Sequence, residues 1–235
     1  PFNWAETTAT DTNVPIYGTS MYAEGYDVQI ARRIAAHLGL ELVVKMVDWD
    51  GIIPALQSGM IDVIIAGMSP TAERAEVISF TDEYYRSEHV VVVRETSQYA
   101  NATRFIDFAG ANIMGQRGTV YDDLAEQLAE SAGGTHMTPL ARVPQIVNAI
   151  LTNVVDVTIV ERPVAESIVN SNPSLIFIEL EDAFNLEETD KIVSFGVRQI
   201  DTELLSRLNE ALATITVEER EVLMGIASIN APEEE

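Results

Sequence analysis

The chain has 235 residues, 47% of them hydrophobic and 22% charged, with 37 Asp and Glu against 14 Lys and Arg for a net charge of −23. An apolar fraction this high can fill a core, so the acidity does not mark a disordered tail; it repels a phosphate backbone or an anionic membrane surface, and no basic patch offsets it. The lack of cysteine removes disulfides, thiolate nucleophiles and Cys-ligated zinc, and apolar runs such as 61–68 fall far short of the roughly 20 residues that span a bilayer.

In chain order, Pro1-Phe2-Asn3-Trp4 reads as the interior of something longer, with no basic segment followed by an apolar leader. Residues 3–24 are polar and turn-rich, as in Asp11-Thr12-Asn13 and Tyr17-Gly18-Thr19-Ser20, and predict a loop. Ile30, Ala31 and Ile34 mark the inner face of a helix ending at Gly39. Trp49 lies between Asp48 and Asp50 at a strand-to-helix junction. The next helix carries Ile53 and Leu56 and stops at Gly59, and Ile61-Asp62-Val63-Ile64-Ile65 predicts a buried parallel strand.

The same pattern returns at an offset of 94 residues. Leu124, Ala125, Leu128 and Gly133 repeat the first helix, Val147, Ile150 and Asn153 the second, and Val155 to Ile159 the strand. Gly and Asn best accept the left-handed conformation just past a helix, so Gly59 and Asn153 predict the same cap. Four elements in register over 25–67 and 119–161 predict two similar α/β lobes, each a mainly parallel sheet wrapped by helices. The second lobe also has an opening strand, Ala111-Asn112-Ile113-Met114-Gly115, for which residues 3–24 hold no equivalent; the first lobe is therefore expected to take its opening strand from chain that precedes Pro1.

The apolar runs His89 to Val93 and Lys191 to Phe195 lead out of the two lobes and predict two hinge crossings. They divide the chain into residues 1–92 with 189–235, and residues 93–188. Helices follow at Asp201–Thr214 and Val217–Ala227, the second opened by a capping box of Thr216 and Glu219, and both are expected to cover the first lobe.

Ligands of open α/β sheets bind beyond the carboxyl ends of the strands, which two facing lobes would direct to one cleft. In the first lobe that end reads Gly67-Met68-Ser69-Pro70-Thr71-Ala72-Glu73-Arg74. Gly67 admits a ligand to the backbone, Ser69 offers a hydroxyl, and Arg74 sits in a first helical turn where a cation opposes the helix dipole. A residue placed against its local preference suggests a bidentate clamp on a carboxylate; the alternative is a surface arginine paired with Glu73, Glu76 or Asp82. In the second lobe Glu161 follows the buried strand and could receive an ammonium, or else pair with Arg162. Gln116-Arg117-Gly118-Thr119 forms a turn into a helix that could donate further bonds. Trp49 is either a ligand wall or plain core.

At these residues the chain resembles the family 3 extracellular solute-binding proteins of polar amino-acid ABC importers. The resemblance rests on Pro1-Phe2, Gly25-Tyr26-Asp27-Val28, Trp49 through Leu56, Gly67 through Arg74, Gln116 through Thr119 and Asp156 through Pro163. It implies a two-lobed periplasmic-binding-protein-like fold of type II. It further implies that Arg74 and Ser69 hold a ligand carboxylate with help from Thr119, that the Gly67 carbonyl meets the amino group, and that Trp49 walls the side chain. The ligand would be a polar or cationic amino acid, arginine ahead of lysine, histidine and glutamine, with an ABC permease as partner. The expected protein is monomeric, extracytoplasmic and either lipid-anchored at a Gram-positive surface or periplasmic; it binds no cofactor, metal or nucleic acid. Three departures stand out: Glu161 where most members have Asp, a longer loop over 6–24, and the absent opening strand, which in the family carries ligand-reading residues.

Two other classes share the fold: dehydratase-like enzymes, in which Glu161 would be a general acid, and receptor sensor modules. Against the first, the chain has no phosphate loop, no Gly-x-Ser-x-Gly elbow and no His-Glu-x-x-His. His37, His89 and His136 are expected on a helix face, at a strand start and in a loop, without metal spacing.

Overall fold

A computed structural model describes residues 1–86 and 88–232. They form two compact units, one built from Pro1–Arg86 and Glu187–Ala231, the other around Ser87–Leu186. The first stretch carries β1 (Trp4–Glu6), β2 (Val14–Pro15), β3 (Tyr22–Glu24), α1 (Tyr26–Leu38), α2 (Ile52–Gln57), α3 (Ala72–Ala75) and β4 (Ser79–Arg86). The second unit holds β5 (His89–Arg94), β6 (Asn112–Ile113), α4 (Val120–Ala132), β7 (Thr135–His136), α5 (Val143–Leu151), β8 (Val157–Glu161), α6 (Arg162–Ser171) and β9 (Leu175–Ile178). The chain then returns to the first unit with β10 (Ile192–Val197), α7 (Thr202–Leu212) and α8 (Val217–Asn230).

In the second unit the strands line up as β7-β6-β8-β5-β9, parallel where β6 meets β7 and β8, antiparallel where β5 meets β8 and β9. His89 to Val93 is thus a central strand of this sheet. Its side chains alternate between faces, with Val91 and Val93 in the core beneath α4, and Val90 and Val92 in the core formed by α5 and α6. Burial on both faces is why the run reads as continuous valine.

In the first unit, α1, α7 and α8 converge on β4 and β10, burying Ile30, Ile34, Phe195, Leu208, Leu212 and Met224 together. The capping box is present: Glu219 N–H donates to Thr216 Oγ1 (3.2 Å), and Thr216 N–H to the Glu219 carboxylate (3.0 Å). Two expectations fail here. Residues 3–24 contain the three short antiparallel strands β1, β3 and β2, which polar composition conceals because each is only two or three residues long. And Ile61 to Ile65 is not an extended ladder: among the described residues its strand pairing is a single antiparallel bridge of Ile64 with Gly196.

The repeat is structural as well as sequential. Helices α1 and α4 have 13 residues each and end on left-handed Gly39 (φ 66°) and Gly133 (φ 70°). Gly59 (φ 77°) and Asn153 (φ 60°) take the same conformation. Each unit also ties its second helix to the run that follows it with a half-buried arginine. Arg94 Nη1 donates to the carbonyls of Ile150 and Val155, both at 2.7 Å, and Nη2 pairs with Asp156 at 2.8 Å. Arg198 Nη1 donates to Leu56 (3.1 Å) and Ile61 (2.7 Å), with Nη2 on Asp62 at 2.9 Å. These acceptors correspond at the same offset of 94; the arginines do not, which hid them from the sequence comparison. Removing the fork strands two carbonyls and a carboxylate, so Arg94→Met is expected to cost about 3 kcal/mol in urea unfolding. Arg198→Met should cost less, because Asp62 is 79% exposed against 22% for Asp156.

Candidate ligand-binding site

The run 61–66 delivers the chain to Gly67, which has φ +58° and whose added Cβ would lie 3.2 Å from the Phe2 ring. Both the left-handed conformation and the close ring call for glycine. Met68 is buried and its carbonyl accepts from Ser194 N–H at 3.0 Å, anchoring the loop to β10. Ser69 is 7% exposed. Thr71 caps the one-turn α3 by accepting from Arg74 N–H, which turns the Arg74 side chain back over the loop. There its Nη1 donates to the Ser69 carbonyl at 2.7 Å and its guanidinium lies 5.3 Å from the Trp49 ring centre. Trp49 opens a short 3-10 turn (Trp49–Gly51) and packs against Leu56, Ile64, Met68 and Ile78. It is therefore core on one side and an arginine platform on the other. The four residues Trp49, Gly67, Ser69 and Arg74 form one cluster.

Beside it lies a hydrogen-bonded network centred on buried Asp27 and Tyr84, to which the sequence assigned no role in the site. Gly67 N–H donates to Tyr84 Oη (2.9 Å), Tyr84 Oη donates to Asp27 Oδ1 (2.6 Å), and Asn3 Nδ2 donates to Asp27 Oδ2 (2.7 Å). Tyr26 Oη donates to the Tyr84 carbonyl at 2.6 Å and its ring stacks on that of Tyr84. Asp27 is 2% exposed; burial pushes its carboxyl up to about 7, against the opposing pull of the bonds from Tyr84 and Asn3. Burial and the neighbouring Asp27 likewise raise the Tyr84 phenol. In sequence, an aspartate in the first turn of a helix reads only as a dipole partner, and Tyr84 sits in a strand 57 residues away.

In the second unit Glu161 is the last residue of β8, 4% exposed, with His89 as its antiparallel partner. The His89 ring meets Tyr121 edge to face at 5.8 Å. Arg162 forms ion pairs with Glu88 (3.2 Å) and Glu179 (2.9 Å) and lies over Phe177. Thr119 caps α4: its Oγ1 accepts from Tyr121 N–H and donates to the Gln116 carbonyl at 2.8 Å. Gln116 Nε2 donates to the Ala141 carbonyl at 3.0 Å. The Thr119 hydroxyl is thus committed to the turn, and to donate to a carboxylate it must give up its bond to the Gln116 carbonyl. His136 lies in β7 rather than a loop, with Nε2 2.8 Å from Asp122. Among the described residues no three metal-ligating side chains converge, and no helix is long and apolar enough to cross a membrane.

The model of the bacterial extracellular solute-binding proteins, family 3, matches residues 7–221. The chain belongs to that family. This family 3 protein is 30% identical over 188 residues to the arginine-binding extracellular protein ArtP of Bacillus subtilis, an alignment covering 80% of this chain and 71% of ArtP. Among solved structures it is similar to an ancestral arginine-binding protein bound to arginine, with 26% identity, a TM-score of 0.75 and coverage of 94% of this chain and 95% of that one. It shares its fold with the amino acid ABC transporter substrate-binding protein AbpA of Streptococcus pneumoniae, solved with L-arginine (TM-score 0.77, 24% identity, 92% of this chain and 88% of that one). The fold class is accordingly the periplasmic-binding-protein-like α/β type II.

Proposed function

We propose that this family 3 protein is the extracytoplasmic binding component of an ABC importer and takes a polar or cationic α-amino acid, L-arginine ahead of lysine, histidine and glutamine, without turnover. The observation that carries the reading is the Arg74 guanidinium, fixed between the Ser69 carbonyl and the Trp49 face. A planar cation held at both its edge and its face is already oriented for a bidentate carboxylate. Glu161, buried at a strand end, supplies the opposite charge that an ammonium needs. Ser69 and the Gly67 carbonyl complete the set in the first unit, where Trp49 bounds the side chain; Thr119 and Gln116 are, with Glu161, the candidate contacts of the second unit considered by itself. The arginine-binding relatives support the choice of amino acid, and the acidic surface favours approach of a cation at low salt. The same reading makes the protein a monomer with a permease as its partner, tethered outside the cytoplasm by a lipid anchor or held in a periplasm.

A thermal-shift screen of the twenty amino acids tests this. L-Arginine at roughly one hundred times Kd should stabilise by about 2.7 kcal/mol. Glu161→Gln keeps the shape and removes the charge, and should weaken binding about ten- to a hundred-fold, the loss of one charged hydrogen bond. No response to any amino acid would overturn the proposal, and turnover of a bound candidate would move the protein to the enzyme class.

A further inference from the structure

In the second unit a titratable side chain stands next to Glu161. Strands β5 and β8 run antiparallel in a register that sets His89, the first residue of one, opposite Glu161, the last of the other. Directly opposed residues project from the same face of a sheet with their Cβ atoms about 5 Å apart. Which face follows from the alternation along each strand. Val91 and Val93, two and four residues from His89, and Ile159 and Val157, two and four from Glu161, all lie in the core beneath α4. His89 and Glu161 therefore share the α4 face, and the contact of the His89 ring with Tyr121 in the first turn of α4 agrees with that placement. Both ring nitrogens of His89 and Oε2 of Glu161 are shielded from solvent.

Glu161 also holds the N-cap position of α6, where a carboxylate ordinarily accepts from the N–H groups of the first turn, yet its side chain makes no capping bond. The acid is spent on the α4 face instead of on its own helix. The other charged groups of the region are placed differently. Glu88, next to His89 in the chain, pairs with Arg162, which also pairs with Glu179 and lies over Phe177 in the core on the opposite face of the sheet. From β9 the neighbour on the α4 face is apolar Leu180. At that end of α4, Asp122 pairs with His136 at 2.8 Å, and Asp123 and Arg117 are the other charged residues. A carboxylate and an imidazole opposed on one shielded face make a pair whose net charge changes between pH 5 and 8, the range in which imidazole gains and loses its proton.

We infer that His89 is a positioning residue of the ligand site, which shares the Glu161 carboxylate with the ammonium of the bound amino acid and weakens binding when it is protonated. The inference rests on the reading of Glu161 as the ammonium acceptor. As neutral imidazole, His89 orients the carboxylate and leaves its charge to the ligand. As imidazolium it offsets that charge and presents a like charge to the incoming ammonium, so two cations compete for one acid. The sign follows from linkage. The ligand-bound protein holds the His89 proton less tightly than the ligand-free protein, so affinity rises with pH through the histidine range, and binding at its acid end releases a proton.

Titration calorimetry with L-arginine at pH 5 and pH 7.5 tests this. The parent should bind about five- to ten-fold more weakly at pH 5, and His89→Gln, which keeps a hydrogen-bonding group but cannot ionise, should bring that ratio below about twofold. Asp27 ionises in an overlapping range but is present in both proteins, so its effect cancels in the comparison. A second measurement needs no variant and decides alone if His89→Gln fails to fold: the imidazole resonance of His89, followed through pH by NMR, should have its midpoint lowered by about one pH unit when L-arginine is bound, while those of His37 and His136 stay in place. A pH ratio that His89→Gln leaves unchanged, or a His89 midpoint that bound L-arginine does not move, would overturn the inference and leave amino-acid binding standing. Absence of binding at both pH values would overturn the two together.

Discussion

Arg74→Ala is expected to abolish the melting-temperature shift produced by L-arginine. Truncating one partner of a buried, hydrogen-bonded charge pair costs about 2–5 kcal/mol, or roughly thirty- to several-thousand-fold in Kd, enough to remove the shift at concentrations that saturate the parent. In the free protein the guanidinium bonds the Ser69 carbonyl and lies over the face of Trp49, contacts made at the surface of the unit. The ligand-free melting temperature should therefore fall by only a few degrees while the ligand-induced increment vanishes. Arg74→Lys separates charge from geometry: it keeps the cation, loses the fork, and should retain a fraction of the increment. Trp49→Ala should lower both quantities, because Trp49 is also packed against Leu56 and Ile64. An unchanged increment in Arg74→Ala would remove the guanidinium from the site.

Stability should fall as pH rises from about 4 to about 7, and Asp27→Asn should abolish that part of the fall. The carboxyl of Asp27 moves from 3.8 to about 7 on folding because burial penalises its charged form. The folded state thus holds this proton more tightly than the unfolded chain. The contribution is fully present below pH 4, declines through the window, and is gone above about pH 7. A change of that size corresponds to at most roughly 4 kcal/mol. Asparagine keeps an oxygen for Tyr84, the Asn3 amide can turn over to accept, and no group is left to titrate. Urea midpoints at pH 4.5, 6 and 8 should converge at the acid end and separate in favour of Asp27→Asn at the alkaline end. The other carboxylates of this acidic chain cancel in that difference. Parallel pH profiles for the two proteins would place the ionisation elsewhere.

The sequence alone was sufficient wherever a rule is local. Helix faces follow from apolar spacing, and their stops at Gly39, Gly59, Gly133 and Asn153 follow from which residues tolerate a left-handed backbone. The Thr216 and Glu219 capping box is closed within four residues, and the repeat is carried by the two 13-residue helices and their matching left-handed stops. Of the proposed ligand contacts, Arg74 stands out in the sequence as a cation placed against its helix, and Glu161 as an acid at the end of an apolar run.

Tertiary structure decided whatever depends on a distant partner. Asp27 became a buried, proton-holding support for Gly67 only because Tyr84 and Asn3 close over it. Arg198 reaches Asp62 across 136 residues, a separation no motif encodes. Ile61 to Ile65 has every local mark of a strand, yet pairs at one bridge, because a strand's hydrogen bonds belong to its neighbours. Local chemistry specified the elements and their ends; burial and pairing, which are properties of the assembled unit, determined which side chains ionise and which arginines clamp.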